Sequence, residues 1–319
     1  MIETEGLTKF FGDFEAVHNV NLFVPSGTVL AILGPNGAGK TTTIRMLTSI
    51  LAPTSGWAKV AGYDVVKDAA RVRASVGVLT EQHGLYERMR GLEYLDFFGR
   101  IYRLPADVRY KRAEELMTRF GLGDAFDKRV GEYSKGMKQK LALVRSLLHD
   151  PPVLLLDEPT SAMDPQSAKL VRDAIMELRQ DARTIILTTH NLTEAQALAD
   201  NIAVIRRGRI VAFGNMEDLA HRFVGPPLME LKTSQPLNGL AKELTPLVKV
   251  VESGDNWLRY EAFKPAEINP QVIRRVIGLG IDVITLSQLT QTLEDVYLQI
   301  VEEDEGQEKK ADEPKHATD

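Results

Sequence analysis

Apolar residues recur along this chain in two rhythms. Thr28-Val29-Leu30-Ala31-Ile32-Leu33, Val153-Leu154-Leu155-Leu156, Thr184–Thr189 and Ile202–Arg206 are short continuous runs, the pattern of strands buried on both faces. Between them apolar residues return every three or four positions, as at Ile44, Leu47 and Leu51, the pattern of helices with one buried side. The same spacing links Leu92, Leu95 and Phe98, then Leu116, Phe120 and Leu122, then Leu141, Val144, Leu147 and Leu148, so residues 91–148 predict a helical insertion between two strands. Helices are also expected near Gln166–Arg179 and Leu192–Ala199, and a hairpin at Arg207-Gly208-Arg209. Residues 1–24 read as small antiparallel strands, and residues 52–80 as turns followed by a strand at Val76–Leu79. Strands alternating with helices predict an α/β fold with a doubly covered, largely parallel sheet.

Pro226-Pro227 marks a boundary. Beyond it the order is strand Leu228–Lys232, helix Asn238–Leu244, strands Val248–Glu252 and Trp257–Phe263, helix Asn269–Gly278, strand Ile281–Leu286 and helix Thr292–Val301. A β-α-β-β-α-β order predicts a small ferredoxin-like α+β domain. The expected division is therefore a first domain over 1–225, its helical part at about 82–148, and a second over 226–301. From Glu302 the sequence is polar and charged, which predicts a disordered acidic tail over 302–319.

Composition narrows the class. A hydrophobic fraction of 44% and a charged fraction of 26% are those of a soluble globular protein. No apolar run approaches the roughly 18 residues of a membrane span, and the acidic start Met1–Gly6 is not that of a signal peptide. With no cysteine, disulfides and thiolate metal sites are excluded. From Glu302 onward there are eight acids and three lysines, which accounts for the whole formal charge of −5 and leaves residues 1–301 neutral. A neutral folded part has no overall basic field for nucleic acid.

Between the first buried run and its helix lies Gly34-Pro35-Asn36-Gly37-Ala38-Gly39-Lys40-Thr41-Thr42, which fits the phosphate-binding pattern G-x-x-x-x-G-K-[ST] in its required strand–turn–helix setting. The glycines let backbone N–H groups close around an anion, with the helix N-terminus behind them. Lys40 is placed to reach the β/γ-phosphates of a nucleotide, and the Thr41 hydroxyl to bind Mg²⁺. Asp157 and Glu158 end the Val153–Leu156 strand. The first can hold the nucleotide's Mg²⁺ and the second can take a proton from an attacking water. A further helix opens at Tyr133-Ser134-Lys135-Gly136-Met137, with Ser134 as a good N-cap and open N–H groups near Gly136.

Phosphate loop, Ser134-Lys135-Gly136-Met137, Asp157-Glu158, Ser161-Ala162-Met163-Asp164 and Thr189-His190 occur in the order found in ABC transporters, and over about residues 1–220 the chain resembles their nucleotide-binding subunit. The C-terminal part, including Thr292-Leu293-Glu294-Asp295-Val296-Tyr297, is similar to the appendage of ABC-2-type exporters, notably the drug-resistance branch. The resemblance implies an ATP hydrolase that works as a head-to-tail homodimer. ATP would lie between one copy's phosphate loop (Gly34, Asn36–Thr42) and the other's Ser134 and Gly136. It implies Lys40, Glu158 and His190 in catalysis, with His190 at the γ-phosphate, Asp164 bridging the two sites, and Phe11 stacking on adenine, with Phe10 as the competing choice. Mg²⁺ would be held by Thr41, Asp157 and Glu81, the last standing where the family has glutamine and Gln82 able to substitute. The signature departs as well, reading Ser-Lys-Gly-Met where the family has Ser-Gly-Gly-Gln.

An integral membrane permease of ABC-2 type is the implied partner, on the cytoplasmic face of the membrane, with export as the direction of transport. Tyr86, Met89, Leu92 and Leu95 are candidates for its docking groove, although Leu92 and Leu95 fit an internal core equally well. Two other readings remain open. One is a soluble ATPase of the same type working in repair or translation; the other is a module that senses ATP without hydrolysing it.

Overall fold

The computed structural model describes residues 1–80, 84–161, 163–180, 182–237, 239–289 and 291–312. The chain opens on two long strands, β1 (Ile2–Phe11) and β2 (Phe14–Val24), then β3 (Val29–Leu33), a loop, and helix α1 (Lys40–Leu47). Strands β4 (Ser55–Val60) and β5 (Tyr63–Asp64), helix α2 (Ala69–Ser75) and strand β6 (Val76–Leu79) follow. Three helices come next, α3 (Gly91–Ile101), α4 (Ala106–Arg119) and α5 (Lys135–Leu147). Then β7 (Val153–Asp157), α6 (Pro165–Gln180), β8 (Thr184–Thr189), α7 (Leu192–Leu198), β9 (Asn201–Arg206) and β10 (Arg209–Gly214) complete a compact unit that ends at Asn215.

Two sheets carry this unit. β2-β1-β4-β5 is antiparallel throughout, and β10-β9-β3-β8-β7-β6 is parallel except at its β10 edge. Every residue of β3, β7 and β8 is buried, which is why their sequences do not alternate. Ile2, Leu7, Val20, Leu30, Ile32, Ile44, Leu47, Val60 and Leu155 share one core. The β9–β10 hairpin turns through Arg207 and Gly208, both at positive φ, the turn type whose twist suits two paired strands. The short helix α2 lies where the sequence predicted only turns. Tyr94 and Leu95 of α3 are fully buried, so Leu95 belongs to the core and not to an exposed groove.

The second unit runs from Met216 to Asp319. It begins with α8 (Met216–Phe223), ten residues before the expected boundary. The helix carries apolar Leu219 and Ala220, both buried, and packs with the C-terminal helix of its own unit. Strand β11 (Leu228–Thr233), helix α9 (Leu240–Leu244), strands β12 (Lys249–Ser253) and β13 (Trp257–Glu261), helix α10 (Pro265–Gly278), strand β14 (Val283–Gln288) and helix α11 (Leu293–Asp312) follow. The sheet order β12-β13-β11-β14, antiparallel at every pair, is the ferredoxin-like arrangement. α10 starts a turn earlier than expected, because Pro265 is a favourable first helical residue and Pro270 is accommodated inside. The tail expected to be disordered from Glu302 instead continues α11 to Asp312. Its Glu, Gln and Lys residues are strong helix formers, and the apolar start, Leu293, Val296 and Ile300, is buried and anchors it. Among the described residues, no helix is long and apolar enough to cross a membrane.

Candidate functional site

Strand order creates the site. β3, β8 and β7 lie side by side and parallel, so the residues that follow their C-terminal ends meet at one edge of the sheet, where α/β folds place ligands. After β3 comes the phosphate-type loop, after β7 comes Glu158, and after β8 comes His190. Together they line a cleft of about 590 Å³ with Phe11, Phe14, Ala16, Pro35, Asn36–Thr42, Asp157 and Ser161. That volume suits a nucleotide-sized ligand.

The loop is held from behind. A Cβ on Gly34 would stand 2.2 Å from the Ile205 carbonyl oxygen of β9, so only glycine permits the approach. Gly39 precedes α1 with φ of 104°, and the Gly208 N–H donates to the Ala38 carbonyl at 2.9 Å. α1 opens at Lys40, so the N–H groups of Lys40, Thr41 and Thr42 have no carbonyl within the helix and can serve an anion in the cleft, while the Thr43 N–H donates to the Gly39 carbonyl at 2.9 Å. Lys40 is buried, and its ammonium donates to the carbonyls of Gly34 at 2.7 Å and Pro35 at 3.2 Å.

Asp157, 2% exposed, accepts from Thr41 Oγ1 at 3.0 Å on one oxygen and from the Thr188 hydroxyl on the other. Thr41 and Asp157 thus form a pair of hard oxygen donors beside the loop. Among the described residues no cluster of three His, Cys, Asp or Glu exists that could cage a metal. A two-donor set fits Mg²⁺, which keeps most of its waters and shares phosphate oxygens. Glu81, expected to complete that set, lies outside the described residues, as does Gln82.

Glu158 adopts φ of 52°, an unusual conformation for a side chain of its kind. Its N–H donates to the Thr188 carbonyl at 3.1 Å and to Thr188 Oγ1 at 3.2 Å. The resulting turn sends its carboxylate into the cleft, where His190 Nδ1 donates to it, 3.0 Å from Oε1 and 2.9 Å from Oε2. Strain of this kind, of order 1–3 kcal/mol, persists where surrounding contacts over-determine it, as at reactive sites.

Phe11 and Phe14 face the cleft from the two sides of the β1–β2 turn, where they form a cross-strand pair. Phe10 is not among the lining residues. Phe14 was not singled out from sequence, although the run Phe-Gly-Asp-Phe places it opposite Phe11 in any tight hairpin. Thr188 was also missed; its signal is a hydroxyl in an otherwise aliphatic buried strand.

Three predicted residues stand apart from this cleft. Ser134 caps α5, its Oγ accepting from the Met137 N–H at 3.2 Å, and a Cβ at Gly136 would meet nothing within 4 Å. Asp164 caps α6 by accepting from the Ser167 N–H at 3.0 Å, and that bond holds its carboxyl below the usual range. None of the three lines the cleft.

A family model described as ABC transporter matches residues 17–161. The chain is 37% identical over 304 residues to the daunorubicin resistance ATP-binding protein DrrA3 of Streptomyces coeruleorubidus, covering 95% of this chain and 96% of that protein. It is 43% identical over 206 residues to the ABC transporter ATP-binding protein NatA of Bacillus subtilis, covering 64% and 84% respectively. Among solved structures, an ATP-binding subunit of an ABC transporter superposes with a TM-score of 0.66 at 28% identity, covering 70% of this chain and 93% of that one. The dimeric bacterial ABC transporter cassette MJ0796 superposes with a TM-score of 0.63 at 25% identity, covering 68% and 99%.

Proposed function

This chain belongs to the ATP-binding subunits of ABC transporters, the ATPases of that family, and on that premise we propose that two copies pair head to tail around ATP to drive export through a separate membrane permease. One observation supports the pairing above the others. In a single copy the phosphate loop, Asp157, Glu158 and His190 share a cleft that Ser134 and Gly136 do not line. A nucleotide there meets donors from one side only. The N-terminal turn of α5 is a second anion-seeking element left for a partner's nucleotide. The cassette solved as a dimer gives the pairing a precedent in the family.

Within each site the residues divide the work. Lys40 trades its two carbonyl partners for phosphate oxygens, and the N–H groups of the loop hold the rest of that charge. Thr41 and Asp157 would hold Mg²⁺, which when bound offsets the charge on the phosphates. Glu158 accepts the proton of the attacking water, and His190 fixes the carboxylate's direction and lies free to touch the γ-phosphate. Phe11 and Phe14 offer ring faces to the base.

Coupling to a permease on the cytoplasmic side is supported by an exposed aromatic and aliphatic patch. Tyr86, Phe97 and Ile101 are 49%, 37% and 57% exposed, and Tyr86 packs edge-on to Phe97 at 5.7 Å. Export is supported by relatives named for daunorubicin resistance, and a permease of ABC-2 type by the likeness of the C-terminal part to the appendage of such exporters. The test is co-purification of the tagged full chain from membranes. Recovery of a polytopic membrane protein, lost in Tyr86→Ala, supports the reading. Recovery of ribosomes or DNA instead would replace it with a soluble ATPase.

A further inference from the structure

Asn191 and Glu194 have the spacing of a capping box, in which the glutamate reaches back to the N–H of the cap residue. Only half of that motif forms. Asn191 Oδ1 accepts from the Glu194 N–H at 3.1 Å, but the Asn191 N–H donates to Thr189 Oγ1 at 3.0 Å. The Glu194 side chain turns inward and is 3% exposed. There it accepts one hydroxyl on each oxygen, Thr160 Oγ1 to Oε1 at 2.6 Å and Thr189 Oγ1 to Oε2 at 2.7 Å.

The positions of those two threonines give the contact its meaning. Thr189 is the last residue of β8, immediately before His190. Thr160 is the residue before Ser161, at the entrance to the segment that ends at Asp164. The same turn is braced from its other side by α5, where Gln139 Nε2 donates to the carbonyls of Glu158 at 3.2 Å and Pro159 at 3.1 Å. A buried carboxylate is costly unless its oxygens are matched by donors, and an apolar side chain would fill the same space without that cost. A carboxylate is also the one side chain of this size that accepts on both oxygens and can satisfy two hydroxyl donors at once.

We propose that Glu194 is a positioning residue whose carboxylate ties Thr160, in the turn that follows Glu158, to the strand end carrying His190, so that this turn, which leads toward the Asp164 proposed to meet a second copy, and the histidine holding Glu158 move together. This rests on the roles given above to Glu158, His190 and the head-to-tail pair. Through Thr160 and Thr189 a shift at the pair interface reaches the reacting centre without passing through the phosphate loop.

Glu194→Gln tests it, because an amide presents one acceptor and one donor group and leaves one threonine hydroxyl without its acceptor. In the full chain with ATP and magnesium, kcat is expected to fall by about ten- to a hundredfold, the scale of a small misplacement at a reacting centre. ATP affinity should stay near wild type, and the melting temperature of the nucleotide-free protein should fall by only a few degrees, the effect of one unmatched buried hydroxyl. Thr160→Val, which replaces one hydroxyl with a methyl of similar shape, should slow turnover in the same way and serves if Glu194→Gln fails to fold. The double variant should be no slower than Glu194→Gln, since loss of either hydroxyl bond already severs the tie between Thr160 and Thr189. Wild-type kcat in Glu194→Gln, multiplying losses in the double variant, or a loss that follows ATP affinity or melting temperature would each overturn the proposal. A wild-type chain that binds ATP but never hydrolyses it would instead overturn the roles given to Glu158 and His190.

Discussion

His190 Nδ1 lies 2.9 Å from the nearer carboxylate oxygen of Glu158, and the two residues follow directly on neighbouring parallel strands, β8 and β7. The contact spans 32 positions of sequence and depends on the register that sets Thr188 beside Asp157. It leaves Glu158 oriented into the cleft with lone pairs to spare for a water proton. Glu158→Gln keeps the shape and removes the basicity. The expected outcome is ATP binding near wild type with phosphate release slowed by about 10² to 10⁴, measured by nucleotide titration beside a steady-state assay. An ATP-dependent dimer should accumulate in this variant on size exclusion, and turnover at the wild-type rate would remove Glu158 from its role.

Lys40 is expected to dominate affinity. Its ammonium already serves the carbonyls of Gly34 and Pro35, so it is poised over the anion position. A hydrogen bond to a charged group is worth about 1.5–3 kcal/mol. Lys40→Ala should therefore weaken ATP binding by roughly ten- to a hundredfold, read by fluorescence titration. Lys40→Arg should not restore it, because a planar guanidinium does not fit a slot built around a compact ammonium.

Gly34 and Gly136 make a contrasting pair. A Cβ at Gly34 meets the backbone of Ile205 at 2.2 Å, and a strand carbonyl cannot step aside. Gly34→Ala should destabilise the protein by about 1–3 kcal/mol, visible in chemical denaturation without any ligand. Gly136 sits in α5 with open space around it. Gly136→Ala should leave the monomer as stable or slightly more so, as alanine is the better helix former by up to about 1 kcal/mol. It should still impair ATP-dependent pairing, since a methyl group would stand where the partner's nucleotide must approach. Normal pairing in Gly136→Ala would count against the head-to-tail arrangement.

His149 supplies a pH signature for the connection between α5 and β7. It stacks on Tyr102, centroids 3.8 Å apart and 7° from parallel, and its Nε2 donates to the Val76 carbonyl at 3.1 Å. Burial pushes its pKa from 6.5 down to about 4, against the pull of the Val76 bond. The unfolded chain therefore takes up a proton near pH 6.5 that the folded chain refuses until about pH 4. The stability that His149 contributes is whole above the first value, declines through the interval, and levels off below the second. His149→Phe keeps a stacked ring without a titrating group. Urea midpoints across this interval should fall more steeply for wild type than for the variant, and parallel slopes would exclude His149 as the source.

Much of this architecture was legible in one dimension because its causes are local. The continuous runs at Val153–Leu156 and Thr184–Thr189 marked strands covered on both faces, and the spacing of Ile44 and Leu47 marked the helix behind the phosphate loop. The loop itself was readable because Gly34, Gly39 and Lys40 must stand at fixed intervals for backbone N–H groups to surround an anion. Where local signals compete, the reading failed. Charge along 302–312 suggested disorder, yet the same Glu and Lys residues favour helix once Val296 and Ile300 are buried. Leu95 carried the same helical spacing whether it faced solvent or core, and only packing assigned it to the core.

The residue chemistry and the phosphate loop were determined by the sequence alone, since each depends on side-chain type and on neighbours within a few positions. Which distant residues meet was decided by the tertiary structure. Thr188 reaches Asp157, Thr160 reaches Glu194 and Gln139 reaches Glu158 because β7 pairs with β8 and α5 packs back onto the turn between them. No local propensity encodes these pairings. They follow from the burial of the whole sheet, whose free energy is shared over many side chains and resides in no single stretch of sequence.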